Sequence, residues 1–530
     1  MTETPQFPLS KRDLLSMIGK TAGATAMLMA MAPLGQAHAS TFTGPIKLDG
    51  NAKGTSVVIL GAGLAGMVSA LELSRAGYSV QVLEFNPKVG GRTWSLRGGD
   101  TYTELGGFTQ TCTFAPGNYL NPGPWRIPTE HGGVIHYCHE LGVALEPFQQ
   151  NNYNAYVHST QAFGGKPQRF KTIQADYQGH VAELLGKAVR QNALDDAVTA
   201  EDAQILLESL RSWGALDSDM RYVKSNASAG RRGWAKGPGG GLTAVPIPSE
   251  PLDMATVLQS GLWRSLGSHL TNEHQQAIFQ PVGGMDQIAV GFERAVGSMV
   301  RLNSKVTAIR QDDAGVTVEY LDTVSGDRLT ARADYCINTI PLSILAQIPM
   351  NVGGPMAAAI RAVPYGPSVK VGLEFKRRFW EQDEQIYGGI TSTDLPNSQI
   401  SYPSTGYGSK GPGVLLGAYI GGATSYEMSS LSPQERVQRA LEWGAQIHPQ
   451  YRDEFMSGMS VAWHRVPWTL GCSGRWTEQA RAEHYDNLCQ IDGRVVLAGE
   501  HASYIGAWQE GAVTSALDAI GRLHQRVQAA

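Results

Sequence analysis

The sequence predicts an α/β protein in which a Rossmann-like dinucleotide-binding domain is interleaved with a helical domain and a β-sheet domain. Three observations lead there. A strand, a glycine-rich turn, a helix, a second strand and an acid follow one another between Val57 and Glu84. Residues 131–276 carry apolar positions at spacings of three and four, the period of amphipathic helices. Residues 341–479 carry short alternating and apolar runs of strand type.

The first element is Val57-Val58-Ile59-Leu60, a compact β-branched run suited to a buried parallel strand. It enters Gly61-Ala62-Gly63-Leu64-Ala65-Gly66 and continues as a helix from Met67 to Arg75. Gly61 permits the tight turn, Gly63 lets backbone approach a pyrophosphate, and Gly66 lets helix pack on strand. The helix start then offers free N–H groups to phosphates, with Ala62 and Ala65 beside them. A second strand, Val80 to Leu83, ends on Glu84, placed to accept hydrogen bonds from a ribose.

Composition narrows the partners. The net charge of -4 over 530 residues and the lack of any basic block exclude a nucleic-acid binder. Five cysteines, at 112, 138, 336, 472 and 489, form no C-x-x-C pair and make no disulfide framework. His131, His136 and His139 cluster without a metal-ligand spacing, so no metal is expected. Gly471-Cys472-Ser473-Gly474 lacks the nucleophile-elbow pattern of hydrolases. Residues 1–39 read as an export signal: Lys11-Arg12 precedes a weakly apolar Gly- and Ala-rich run, and Ala37-His38-Ala39 is a small-x-small cleavage pattern. No other run is long and apolar enough to span a bilayer, so an exported, soluble protein is expected.

Beyond Glu84, two glycine pairs follow in loops, Gly90-Gly91-Arg92 and Glu104-Leu105-Gly106-Gly107. Bare backbone there lets a flat ligand lie close, and Arg92 can meet a phosphate with its planar fork. This succession resembles the flavin amine oxidase family, which includes monoamine oxidases and L-amino acid oxidases. The resemblance continues through Phe279 to Gln287, Ser304 to Ile309, Tyr335 to Pro341, Val495 to Glu500 and Gly506 to Val513. It implies non-covalent FAD, held by Gly61, Ala62, Gly63, Ala65, Gly66, Glu84, Gly91, Arg92, Gly106, Gly107, the backbone at Val306, Gly499, Glu500, Trp508, Gln509 and Ala512. Glu500 is expected at the ribityl or diphosphate region. The FAD-binding domain would then comprise residues 50–125, 277–340 and 480–530. The helical insertion would occupy 126–276 and the substrate-binding sheet 341–479.

The same resemblance directs the substrate side. Gly123-Pro124-Trp125-Arg126-Ile127-Pro128 is similar to the segment whose arginine clamps a substrate carboxylate in L-amino acid oxidases. A guanidinium suits that task because its fork pairs with both oxygens. Here an extra segment, Phe108 to Pro122, stands before it. Tyr402, Trp468, Ala507 and Trp508 match or lie beside positions that flank the substrate, where flat rings steer it toward the flavin. Lys370 alternates with Gly372 and Glu374 on the polar face of a strand, which by pattern alone points to solvent. The resemblance instead implies a lysine that holds water beside the reactive flavin nitrogen. Cys472 falls near the covalent attachment point of monoamine oxidases, but Ser473 replaces the aromatic residue that follows there. The Gly- and Pro-rich stretch 229–241 reads as a surface loop, with an active-site lid as the functional alternative.

The expected activity is oxidation of L-amino acids by oxygen, giving 2-oxo acid, ammonia and hydrogen peroxide. Within the same fold an amine oxidase or a decarboxylating amino-acid monooxygenase is the alternative. A flavin-stabilised binding protein is the alternative from another class. The oligomeric state is left open, a homo-oligomer included.

Overall fold

The computed structural model describes residues 40–529 apart from 53, 195–197, 243 and 268–269, so the expected export signal lies outside the described residues. A five-stranded parallel sheet forms the frame, in the order Val300–Arg301, Ser79–Leu83, Ser56–Leu60, Tyr335–Asn338, Val495–Leu497. Leu60 lies beside Leu83 on one side and Asn338 on the other. Alternation along the first strand explains its continuous apolar character. Val57 and Ile59 pack with Met67, Val68, Val513 and Ile520 of the Leu64–Arg75 and Gln509–Ala529 helices. Val58 and Leu60 face the opposite way, onto Val306, Val316 and Val318 of a three-stranded antiparallel meander, Ser304–Asp312, Gly315–Asp322 and Arg328–Ala333. A strand buried on both faces must be apolar at every position.

A second, seven-stranded sheet has the order Gln168–Arg169, Tyr156–His158, Ile390–Thr393, Gln399–Ser401, Gly413–Gly421, Ser368–Phe375, Phe455–Ala462. Its first two strands come from the stretch read as helical, and they are too short to show a period of two in the sequence. The same stretch holds the helices Gly132–Glu140, Phe170–Arg190, Ala200–Gly214, Asn226–Arg232 and Met254–Gln259, with further short strands between them. The glycine-rich stretch 229–241 finishes the Asn226–Arg232 helix and enters a short strand, Trp234–Lys236, without lining the main cavity. Arg232 there is buried against Asp176 at 2.7 Å, which ties the stretch to the long helix.

The strand Ser368–Phe375 departs from its expected polar face, because every residue in it is buried. The extra segment before Arg126 covers it. Leu120 packs where a Cβ on Gly372 would stand, and Glu374 accepts hydrogen bonds from the Ala115 N–H at 2.7 Å and Asn118 at 2.9 Å. Glu374 also accepts from Ser457 at 3.0 Å. Polar residues on alternate positions therefore meet protein instead of water.

The hairpin formed by Thr101–Thr103 and Thr109–Thr111 is tied to this sheet domain by a fully buried pair. Arg436 donates to both oxygens of Glu104, at 2.7 and 2.9 Å, and its remaining donors reach the carbonyls of Met428 and Ser429. Removing one partner leaves an uncompensated buried charge, which costs about 3–5 kcal/mol. Glu104→Gln is therefore expected to lower the thermal unfolding midpoint, read by calorimetry. Glu104→Asp, which keeps the charge, should lose less.

Candidate active site

A cavity of about 990 Å³ runs along the carboxyl ends of the parallel strands, where open α/β sheets place their ligands. Its size stands at the upper end for ligand sites, enough for a large cofactor and a small substrate together. Gly61, Gly63, Ala65, Glu84, Gly91, Arg92, Val306, Gly499, Glu500, Gln509 and Ala512 line it, as do Arg126, Trp468, Ala507 and Trp508. Ala62 and Gly66 stand just behind this lining. Gly66 has no room for a side chain, since a Cβ would fall 1.9 Å from the Gly61 carbonyl oxygen. Gly61 has a φ of +100°, which the turn out of the strand demands. Gly63 differs: a Cβ there would meet nothing within 4 Å, and Gly91 stands across from it. That bare edge is a cradle a phosphate-bearing ligand can enter.

Two carboxylates line the cavity. Glu84 accepts hydrogen bonds from the Ala62 N–H at 2.6 Å and from Asn86 backbone and side chain at 2.8 Å. Its burial pushes the carboxyl up from its ordinary range, and these donors oppose the rise. Glu500 accepts from Arg92 at 2.8 Å, the Gly474 N–H at 2.9 Å and the Ala507 N–H at 3.0 Å. Burial works against its charge, but Arg92, His501 and the Ala507 N–H together outweigh it and hold the carboxyl below the ordinary range. Arg92 also donates to the Cys472 carbonyl at 2.8 Å. Part of the guanidinium fork expected for a phosphate is thus engaged by protein.

At the other end Arg126 is partly buried, with no carboxylate beside it among the described residues. Its Nη2 meets His274 Nε2 at 2.7 Å, so the imidazole nitrogen accepts, and its Nε has no partner among the described residues. The guanidinium lies 4.9 Å from the Trp125 ring and 5.6 Å from Trp508. Burial pulls its pKa down to about 10, and it stays cationic at neutral pH. A buried cation held between rings without a counter-ion is a receptor for an anion. The extra segment Phe108 to Pro122 does not remove Arg126 from the cavity. It passes over the sheet and is fastened where Trp463 donates to the Pro122 carbonyl at 2.9 Å.

Four expected residues fall elsewhere. Gly106 and Gly107 form the exposed tip of the hairpin Thr101–Thr103 and Thr109–Thr111, where Gly107 donates to the Glu104 carbonyl at 3.0 Å. Leu105 beside them reaches the cavity instead. A glycine pair serves a hairpin turn as well as a ligand cradle, so the pattern does not separate the two. Tyr402 points into the sheet domain's core, its hydroxyl 2.7 Å from both Thr391 and His448. Tyr419, one strand across, is the tyrosine that lines the cavity. Lys370 is buried behind the lining, directly across the ladder from Tyr419. Its ammonium donates to the carbonyls of Gly123 and Asn121 and lies 4.6 Å from the Tyr419 ring and 4.9 Å from Trp125. His274, Trp125 and Tyr419 are the site residues that sequence reasoning passed over. Tyr419 alone had a signal, as the one polar-tipped ring in an apolar strand.

The fold and the cavity define a flavin-dependent oxidoreductase. The chain matches the family of flavin-containing amine oxidoreductases over residues 64–523 and belongs to it. It is 27% identical over 477 residues to an L-amino-acid oxidase of Siganus canaliculatus, covering 89% of this chain and 85% of that one. It is also 27% identical over 475 residues to a putative L-amino-acid oxidase of Bacillus subtilis (strain 168), covering 87% and 93%. Among solved structures, putrescine oxidase bound to putrescine shares the fold with a TM-score of 0.58, 20% identity and coverage of 90% and 99%. Cyclohexylamine oxidase from Brevibacterium oxydans IH-35A does so with a TM-score of 0.59, 18% identity and coverage of 89% and 99%. Among the described residues no helix is long and apolar enough to cross a membrane, and no group of His, Cys, Asp and Glu could hold a metal ion.

The glycine geometry makes a separable test. Gly63→Ala would add a methyl group to the open edge with no protein atom within 4 Å of it, so the variant should keep its far-ultraviolet circular dichroism and show lower visible flavin absorbance. Lys370 makes another. Burial pushes its ammonium down to about 7, opposed by Cys472 and aided by the Arg126 charge. The unfolded chain, with an ordinary lysine, therefore binds the extra proton between about pH 7 and 10.4. Stability rises with pH wherever the unfolded state binds more protons. The unfolding midpoint of the wild type is expected to gain on that of Lys370→Met from pH 7 to 9, and to run parallel to it below pH 6.

Proposed function

We propose that the protein is an FAD-dependent L-amino acid oxidase, exported with residues 1–39 as its signal. The observation that carries this reading is Arg126, a partly buried guanidinium on the cavity wall whose Nε is buried and unpartnered and which meets no carboxylate among the described residues. A substrate carboxylate supplies the missing anion and is fixed in place by two parallel hydrogen bonds. Trp508 and Trp125, packed on that guanidinium, set the plane in which the carboxylate lies. The two L-amino-acid oxidase relatives support the same substrate class.

FAD, when bound, supplies the acceptor for a hydride from the alpha carbon and the route by which oxygen becomes hydrogen peroxide. The chain's own residues do the rest. Gly63 and the helix behind it would hold the diphosphate, and Glu84 would accept from a ribose. The Arg92–Glu500 pair is already neutral, so it shapes the middle of the cavity without adding net charge. Arg126 and the rings of Trp508, Trp468 and Tyr419 orient the alpha carbon and exclude water. Hydrolysis of the released imino acid gives the 2-oxo acid and ammonia. Lys370 acts at one remove, pinning the Gly123 and Asn121 carbonyls and so the approach to Arg126. A second reading, oxidation of simple amines, draws on the shared fold of putrescine oxidase and cyclohexylamine oxidase. It leaves Arg126 without an anion.

Peroxide release with L-amino acids and with the amines made by removing their carboxyl groups separates the two. Loss of a hydrogen-bonded charge contact costs about 1.5–3 kcal/mol. Arg126→Ala should therefore reduce kcat/KM for L-amino acids by roughly 10- to 100-fold, leave flavin content unchanged and spare the amines. Equal loss on both substrate classes would sink the carboxylate clamp.

A further inference from the structure

One buried carboxylate is not used by this chemistry. Glu510, in the first turn of the Gln509–Ala529 helix, is fully buried, and no lysine, arginine or histidine pairs with it among the described residues. One of its oxygens accepts from the Gly133 N–H at 2.9 Å and the other from the Val134 N–H at 2.8 Å, the first turn of the Gly132–Glu140 helix. Its third donor is the hydroxyl of Ser40. Ser40 is held there by its neighbours. The Phe42 N–H donates to Ser40 Oγ at 3.1 Å, and the Phe42 ring packs 5.3 Å from His136 and against Gly132, where a Cβ would come within 3.3 Å.

Ser40 is also the residue that follows Ala37-His38-Ala39, the small-x-small pattern that ends the expected export signal. We propose that Glu510 is the receptor for the α-amino group of Ser40, set free when the Ala39–Ser40 peptide bond is cut by a signal peptidase. The inference rests on the export reading given above. In the cut, water adds across the peptide bond: Ala39 leaves with a new carboxylate, and Ser40 keeps the nitrogen as an ammonium. A single neutral N–H donor becomes a cation with three donors. In a gauche rotamer that nitrogen lies about 3 Å from the Ser40 hydroxyl oxygen, three bonds away. The hydroxyl already touches Glu510, and the ammonium, on the adjoining carbon, is the cation that processing brings to the same carboxylate. The buried carboxylate then gains a counter-ion that the described residues do not supply.

The socket braces the cavity. Trp508 and Gln509, immediately before Glu510, line it, and His131, just before the Gly132–Glu140 helix, packs 5.0 Å from the Trp508 ring. Docking of the new chain end thus fastens together the two helix starts that carry this wall. Burial pushes the Glu510 carboxyl up in the present arrangement, in keeping with a carboxylate still without a cation.

The test has two arms. The intact mass of the exported protein is expected to correspond to residues 40–530, and a mature chain beginning elsewhere overturns the processing point. Independently of export, the flavin-loaded protein beginning at Ser40 is compared with one beginning at Ala39, both in the wild type and in Glu510→Gln. The single extra residue should lower the unfolding midpoint by about 2 °C or more in the wild type and leave it unmoved in Glu510→Gln. Ser40→Ala, which keeps the amine and loses the hydroxyl, should retain the difference. Equal midpoints for the two chain starts in the wild type, or a difference that persists in Glu510→Gln, overturn the receptor role. A correct mass with equal midpoints leaves the export reading standing and removes only the receptor.

Discussion

The ion pair between partly exposed Arg92 and buried Glu500 is the contact on which the site's assembly depends. The two residues are 408 positions apart in sequence, and they meet at 2.8 Å beside the loop that carries Cys472 and Gly474. One member follows the first glycine loop, and the other ends the last strand of the parallel sheet. Each charge would be costly to bury alone, so the pair forms only when the first and last segments of the chain are both in place. The backbone N–H of Ala507 completes the Glu500 carboxylate and leads directly into the final helix. One ion pair thus fixes the start of the sheet, its end, and the helix whose first turn lines the cavity.

Charge is distributed unevenly along that cavity. In the middle Arg92 and Glu500 cancel, and at the glycine turn Glu84 is satisfied by N–H donors of its own loop. Arg126 is the exception, a cation resting on two indole rings and an imidazole nitrogen. An imidazole that accepts from a guanidinium must be neutral, and it can yield that place to a stronger acceptor such as a carboxylate. The contrast between a balanced cofactor half and an unbalanced substrate half gives the cavity its direction.

Much of the cofactor half was legible because its signals are local. Gly61, Gly63 and Gly66 act within one turn of chain, and their roles follow from where a Cβ would go. The apolar run Val57 to Leu60 reads as doubly buried from its composition alone. The substrate half was legible only in part. Arg126 was found through a resemblance of short segments, and it reaches the cavity although an extra segment precedes it. Tyr402 and Tyr419 could not be ranked from the sequence, since both are tyrosines in or next to strands of one sheet. The direction each ring faces depends on register and on His448, which is 46 residues from Tyr402. Lys370 was misjudged for a related reason. A period of two says which residues share a face, but not what covers that face.

The sequence by itself determined the parallel frame, the glycine cradle and the order in which the segments enter it, because strand period, turn chemistry and helix starts are set by neighbours in the chain. Tertiary structure alone decided that Arg92 would be neutralised by Glu500, that Gly106 and Gly107 would turn a hairpin, and that Lys370 would be buried. Each of those outcomes rests on which distant segment arrives to share the space, and desolvation and pairing act on a side chain only once that partner is there.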